Sequence, residues 1–545
     1  MPSEAAFRGH CEWPLYAAYP GSIRAIGDAV RVTRQFAISV RKSIEEDTHM
    51  STTYDCAWLL ADPGTQEAQA NMRLKVEAGR IAAIARAPEL SPGPRRLALP
   101  ALTNAHDHGR YFRSATVDAF EKPLESWLPF MGLIPGADPY LSAATAFARS
   151  VRQGIANLMV HYTRVQGGMP YVVEARAVAR AARDVGNRIG FAIAMRDCHG
   201  IAYCDDATAL AALRPEIRDA VAARLSTKPL LPAQQLALVE EVARMVEEEN
   251  YAEHVTVQYG PTGVQWCSMP LLEAIAKASA DHDRPIHMHL LETRYQREWA
   301  DQTHPEGIVR YLDDLGMLSP RLTLAHCVWA RPDELSLLAE RGVTIAVNTS
   351  SNLYLKSGIA PVPDMLRQGC RIALGLDSTG IDEDNDALRE MRLAYQLHRG
   401  WGFDVTMNRA QLWTFAAQNG RRSVNGAACD APLGGRLAVG EPADLVLLNW
   451  DALDDDALLP VDPLDLLLAR GSGMHIDEVV IGGRTVVAQG RVCGVDEHAL
   501  RAELIAQMRE RIAAQPAVGA WHGTLRALAE DLGPFYLKSA WRGCC

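Results

Sequence analysis

The chain has no basic run that could neutralise a stretch of phosphates, and its formal net charge is −11 over 545 residues. That excludes a nucleic-acid-binding surface. It also has no uninterrupted apolar stretch of ~18 residues or more, so no membrane span is read. Its 11 cysteines never stand as CxxC, which excludes a zinc ribbon and a disulfide framework. Neither a charged-then-apolar targeting pattern nor a signal peptide is visible, and the expected compartment is a reducing cytoplasm. The vicinal Cys544 and Cys545 are read as incidental.

What is present is ordinary soluble composition, with 48% hydrophobic and 22% charged residues. The length suggests two or three domains. Residues 1–50 show no period and are read as an N-terminal extension, with Met50 a candidate true start. From residue 53 to 97 the pattern is β. Met72-Arg-Leu-Lys-Val-Glu-Ala-Gly79 alternates and turns at Ala78-Gly79, a hairpin signal. A small sheet needs a partner. Candidates lie far away, at 443–449 and 477–492. Residues 51–100 and 434–495 are therefore expected to form one β-sandwich from both chain ends. Residues 496–545 hold one good helix, 499–513, and then an unpatterned tail.

Between 101 and 433, short apolar runs alternate with segments whose apolar residues recur three and four apart. The runs are 99–108, 154–161, 188–197, 254–260, 285–291, 321–328, 343–350 and 371–377. Eight β–α alternations predict an α/β fold, a (β/α)8 TIM barrel. An open doubly wound sheet ranks second, because no glycine-rich phosphate turn follows any strand. Two helices at 200–252 read as an insertion over the barrel. The aromatic loop 109–141 follows the first strand, at the end where barrels build pockets.

Barrel chemistry sits where strands finish. The first run ends in His106 and His108, which share a strand face and can aim two imidazoles at one point. Later runs end in His161, in Arg196 and Asp197, in His287 and His289, in His326 and in Asp377. Taken singly, each histidine reads as a hydrogen-bonded core residue and Asp377 as a helix cap. Taken together, they do not fall at strand ends by chance. His106, His108, His289 and Asp377 make a donor set for zinc with one position left for water, whose pKa the metal brings toward ~7, and the Asp377 carboxylate has a second, catalytic job, holding that water and taking its proton. His289 is preferred to His287 because Glu292 follows three residues on, where a carboxylate can shuttle protons. His287 is then a barrel filler. His326 is assigned to polarise the attacking oxygen or the substrate. Strand four contains no lysine, which argues for one metal instead of two.

These residues resemble the amidohydrolase superfamily, in its cytosine deaminase-related branch with guanine deaminase, S-adenosylhomocysteine deaminase and the triazine hydrolases. The resemblance lies in Pro100-Ala-Leu-Thr-Asn-Ala-His-Asp-His108, His289-Leu-Leu-Glu292-Thr, Ala325-His-Cys, the stretch opening Asn348-Thr-Ser-Ser-Asn352, and Leu374-Gly-Leu-Asp377-Ser. Gly434-Gly-Arg-Leu-Ala-Val-Gly-Glu is similar to the family's return into its sandwich. By that resemblance His106, His108, His289 and Asp377 match the metal ligands, Glu292 the proton shuttle, and His326 the group beside the hydroxide. The resemblance implies one zinc, with ferrous iron as the alternative. It also implies hydrolytic deamination of a nitrogen heterocycle or amidine-like small molecule, the metal-bound hydroxide attacking. Gly109-Arg-Tyr-Phe-Arg and Gln258-Tyr-Gly-Pro-Thr-Gly depart from the branch's pattern. Arg110, Trp127, His161, Arg196 and Asn352 are the expected substrate wall.

A related hydrolase with chloride, alkylamine or a cyclic amide as the bond broken is the alternative. A catalytically silent binding protein is the remote one, and such a protein should lack ligands. The expected partners are a small-molecule substrate and a second copy in a homodimer, with no nucleic acid and no membrane.

Overall fold

The structure, a computed structural model, describes residues 51–225, 228–378, 383–426 and 434–538. The extension expected at 1–50, the end of the barrel segment at 427–433 and the vicinal Cys544 and Cys545 lie outside these residues. The chain first lays down β1 (Thr52–Leu59), β2 (Gln69–Glu77), β3 (Arg80–Arg86) and β4 (Arg96–Pro100). Eight further strands follow: β5 (Leu102–Asn104), β6 (Ile155–Tyr162), β7 (Arg188–Met195), β8 (Val255–Pro261), β9 (Ile286–Leu290), β10 (Leu322–His326), β11 (Thr344–Val347) and β12 (Arg371–Leu374). The chain then returns through β13 (Leu445–Asn449), β14 (Ile476–Ile481), β15 (Arg484–Ala488) and β16 (Arg491–Val492).

Strands β5 to β12 pair in chain order, all parallel, and helices separate them. Closure comes from the Ala105 amide donating to Leu374 O at 2.8 Å, and from Leu376 and Asp377 amides donating to His106 O. This is the expected barrel. Its strands are buried on both faces, which is why they read as continuous apolar runs. From below, the helix Gly420–Asn425 plugs the floor, and Gln258 Nε2 donates to the carbonyls of Ser423 and Val424. One of the branch-atypical residues thus serves the floor.

The other strands form one sheet from both parts of the chain, in the order β16-β15-β14-β13-β4-β1-β2-β3. The β2–β3 hairpin turns where expected, with Ala78 and Gly79 both at positive φ (47° and 73°). That turn lies against Gly482 and Gly483, between β14 and β15, so the sheet folds over a core of its own. The apolar run at 99–108, read as one strand, is divided. Pro100 ends a strand of the terminal sheet, Ala101 donates to Asp444 O, and Leu102 begins the barrel.

Asp444 joins the two bodies. Its Oδ2 meets Arg188 Nη1 at 2.9 Å and Arg421 Nη1 at 2.6 Å, and its Oδ1 accepts from Gly482 N at 2.7 Å. Burial pushes its carboxyl up, but the two guanidinium groups and the amide outweigh this and hold it below the usual range. A lowered folded pKa adds stability above the ordinary value and loses it as pH falls through ~4 and below. Asp444→Ala is expected to cost about 3–5 kcal/mol at pH 7, since the buried Arg421 and the half-buried Arg188 lose their partner. Denaturant titrations at pH 7 and at acid pH check this, and the gap between variant and parent should narrow in acid.

Two segments differ from expectation. The insertion carries three helices, Asp206–Ala212, Pro215–Arg224 and Pro232–Glu248, because Pro215 starts a new helix after Leu213 leaves helical geometry. The tail carries a second helix, Val518–Leu537, after Glu497–Ala513. It buries Trp521, Leu525, Leu528 and Leu532. Arg214 pairs with Asp531, and Asp118 with His522 and Arg526, tying this helix to the insertion and to the loop after β5. Among the described residues, no helix is long and apolar enough to cross a membrane.

Candidate functional site

Five strand-end residues outside glycine hold positive φ: Leu291, His326, Cys327, Asp377 and Ser378. Each such backbone costs about 1–3 kcal/mol and turns the chain sharply out of the barrel. Glycine at 375 lets the last strand approach the first, since a Cβ there would lie 2.1 Å from Asn348 Oδ1 and 2.9 Å from His106 N.

These turns bring together the residues read from sequence. His108 Nε2 lies 3.0 Å and His106 Nε2 3.4 Å from Asp377 Oδ1. The ring of His289 is 4.8 Å from that of His106, and the ring of His326 is 5.1 Å from it. All are buried. Each imidazole is oriented from behind. His108 Nδ1 donates to His161 O at 2.8 Å and His289 Nδ1 to Thr262 O at 2.7 Å. His106 Nδ1 lies 2.7 Å from His287 Nε2, so the expected barrel filler also orients a neighbour. His326 Nδ1 donates to Asn352 Oδ1 at 2.9 Å, leaving the Nε2 lone pair toward the cavity. Asp377 Oδ2 accepts from Ser351 Oγ at 2.6 Å.

Between the two histidines, Asp107 braces the frame. Its carboxylate accepts from the amides of His108 and Gly109, from Asn104 and Asn385, and from both the amide and hydroxyl of Ser378.

Burial pushes His106, His289 and His326 down, His326 to about 3, so their rings are neutral. Burial would raise Asp377, but His106 and His108 override it and keep it ionised. Neutral imidazoles beside an ionised carboxylate are the form in which these groups bind metal. The buried Nε2 atoms of His106 and His326 make no hydrogen bond, and the lone pairs that converge here suit a divalent cation. Glu292 stands at the edge of this cluster, its Oε2 3.7 Å from His326 Nε2. Burial, then the charges of Asp377 and Glu125, push its carboxyl well above the usual range.

A cavity of ≈ 40 Å³ opens onto His108, His289, Glu292, His326 and Asp377. Of the expected substrate wall, Arg110 and Trp127 line it; His161, Arg196 and Asn352 do not. His161 lies behind, its ring 4.8 Å from that of His289 and its Nε2 donating to Gly260 O. Arg196 holds the carbonyls of Cys198 and His199. Asn352 is spent on His326.

The sequence reading missed Leu124, Leu128, Thr163, Thr262, Trp266 and Leu355. Only the first two carried a signal: with Trp127 they make an i, i+3, i+4 stripe, and the helix Leu124–Phe130 turns it to the cavity.

Comparison with known proteins fits this arrangement. A profile described as "Amidohydrolase family" matches residues 97–486. The 5'-deoxyadenosine deaminase of Methanothermobacter thermautotrophicus is 28% identical over 439 residues, which span 77% of this chain and 90% of that protein. The 5-methylthioadenosine/S-adenosylhomocysteine deaminase of Moorella thermoacetica is 28% identical over 425 residues, 76% of this chain and 87% of its own. Among solved structures, an adenosine deaminase from Xanthomonas campestris with bound zinc superposes with a TM-score of 0.66. It is 21% identical and covers 85% of this chain and 98% of its own. A mutant of the atrazine chlorohydrolase TrzN from Arthrobacter aurescens, with zinc and atraton, gives 0.67 at 21% identity, covering 83% and 98%.

Proposed function

The chain belongs to the amidohydrolase family, and from that premise we propose that it is a metal-dependent aminohydrolase releasing ammonia from an amino-bearing carbon of a nitrogen heterocycle. The observation that carries this reading is the convergence of His106, His108, His289 and Asp377, with Glu292 beside them. The deaminase relatives support the same chemistry.

His106, His108, His289 and Asp377 would hold one divalent ion, zinc or ferrous iron. Its Lewis acidity brings the pKa of water toward ~7. The remaining work belongs to the chain. Water adds to the ring carbon, and its proton passes to Asp377 or to the open lone pair of His326 Nε2. Glu292, whose carboxyl burial pushes well above the usual range, gives its proton to the ring nitrogen. The carbon–nitrogen bond to the amino group then breaks: the nitrogen takes the proton held by Asp377 or His326 and leaves as ammonia, while the hydroxyl proton returns to Glu292 and the oxygen stays on the ring as a carbonyl. Trp127 and Trp266 line the cavity with apolar rings suited to a heterocycle, and Arg110 adds a cation beside it.

Ammonia release on a panel of purine nucleosides, pyrimidines, pterins and triazines tests this. Turnover with stoichiometric ammonia on at least one amino-heterocycle is the expected result. Turnover without ammonia would move the assignment to a hydrolase with another leaving group. No turnover with any member of the panel after metal loading would move it to a binding protein.

A further inference from the structure

The insertion and the last helix meet behind Glu292. The Tyr203 hydroxyl, from the insertion, donates to Glu125 Oε1 at 2.8 Å and accepts from Gln296 Nε2 at 3.3 Å. Thr293 Oγ1 donates to the same Glu125 oxygen. Gln296 Oε1 in turn accepts from the backbone amide of Glu292 at 2.8 Å. All five residues are buried. The Tyr203 ring sits edge-on to Trp266, which lines the cavity, and 5.6 Å from Tyr536 of the helix Val518–Leu537. Tyr536 also packs 4.8 Å from Tyr295.

Glu292 needs this support. Leu291, at φ 49°, turns the chain out of β9, so the strand ladder no longer fixes the next residue. The Glu292 amide bonds to a side chain, Gln296. Ser357 Oγ also donates to Glu292 Oε1 and the Trp329 amide to Leu291 O, but the Glu292 amide itself is fixed by what holds that glutamine. The amide end of Gln296 is held by Tyr203, and Tyr203 by Glu125 from the helix Leu124–Phe130.

We propose that Tyr203 is a positioning residue for Glu292, and that the insertion exists in part to deliver it, with Tyr536 as its backing. This rests on Glu292 being the proton carrier. Proton transfer demands placement within hydrogen-bond reach, and small misplacements remote from the chemistry lower kcat.

Tyr203→Phe keeps the ring and its packing and removes only the hydroxyl. The expected result is kcat lower by about tenfold, with KM within about twofold and with metal stoichiometry and Tm unchanged. Gln296→Met cuts the same link from the other side and should lower kcat comparably. The double variant should be no slower than the slower single, because both remove one connection. Wild-type kcat in Tyr203→Phe overturns the proposal. So does additive loss in the double variant, or a loss matched by falling Tm or metal content. Glu292→Gln, assayed on the same substrate, separates the two readings. If it turns over at the parent rate, the proton-carrier assignment has failed, and the positioning role with it. If it is inactive while Tyr203→Phe runs at full rate, only the positioning role is lost.

Discussion

Glu292→Gln is expected to keep its metal and lose about 10²–10⁴ of turnover, the usual contribution of a general acid–base group. The amide matches the carboxyl in size, so Ser357 Oγ, 3.3 Å from Oε1, keeps a partner. The backbone link to Gln296 is untouched. What disappears is the exchangeable proton on a carboxyl that burial and neighbouring acids push well above its usual range. The measurement is kcat beside metal content per chain. An unchanged kcat would mean that another residue carries the proton. Loss of metal along with rate would mean that Glu292 is itself a ligand.

His106→Ala is the second. It should bind little metal, and its turnover should fall to that of the metal-free protein. His106 has ligand atoms close to those of His289 and His326 on one side and to those of His108 and Asp377 on the other, and its Nε2 is buried without a hydrogen bond. Removing it deletes a proposed ligand and strands His287, whose Nε2 lies 2.7 Å from His106 Nδ1. His287→Ala is the graded comparison. It leaves the ligands in place and should lower metal affinity by about 10–100-fold, as loss of an orienting group does. Metal analysis after dialysis against a chelator series reads both. Full occupancy in His106→Ala would remove it from the ligand set.

The eight barrel strands were legible because strands buried on both faces must be apolar throughout, and the helices between them show a period. The His106, His108, His289, Glu292, His326 and Asp377 cluster was legible because each lies where a strand stops. Other features could not be read in this way. The division at Ala101 depends on Asp444, far along the chain and silent in any local window. The last helix escaped notice because Gly519, Gly523, Gly533 and Pro534 weaken its propensity, and burial of Trp521, Leu525, Leu528 and Leu532 overrides them. Tyr203, Trp266 and Leu355 stand on segments that no period organises, so only folding could bring them to one place. Arg196 and Asn352 show the converse: they lie near strand ends, as the converging histidines do, but are used on backbone carbonyls and on His326.

The terminal sheet has a consequence for synthesis. β4 joins β1 through two register pairs, Trp58 with Leu97 and Leu59 with Ala98, and finds its long antiparallel partner only in β13. At about 5–20 residues per second, β13 leaves the ribosome roughly 20–70 s after β4. Throughout that interval an apolar strand edge stands unpaired, for most of it beside a barrel still missing staves, since β12 ends only at Leu374, and this is the condition under which nascent chains aggregate. Production of this protein should therefore depend on chaperone supply and on translation rate more than its finished stability would suggest.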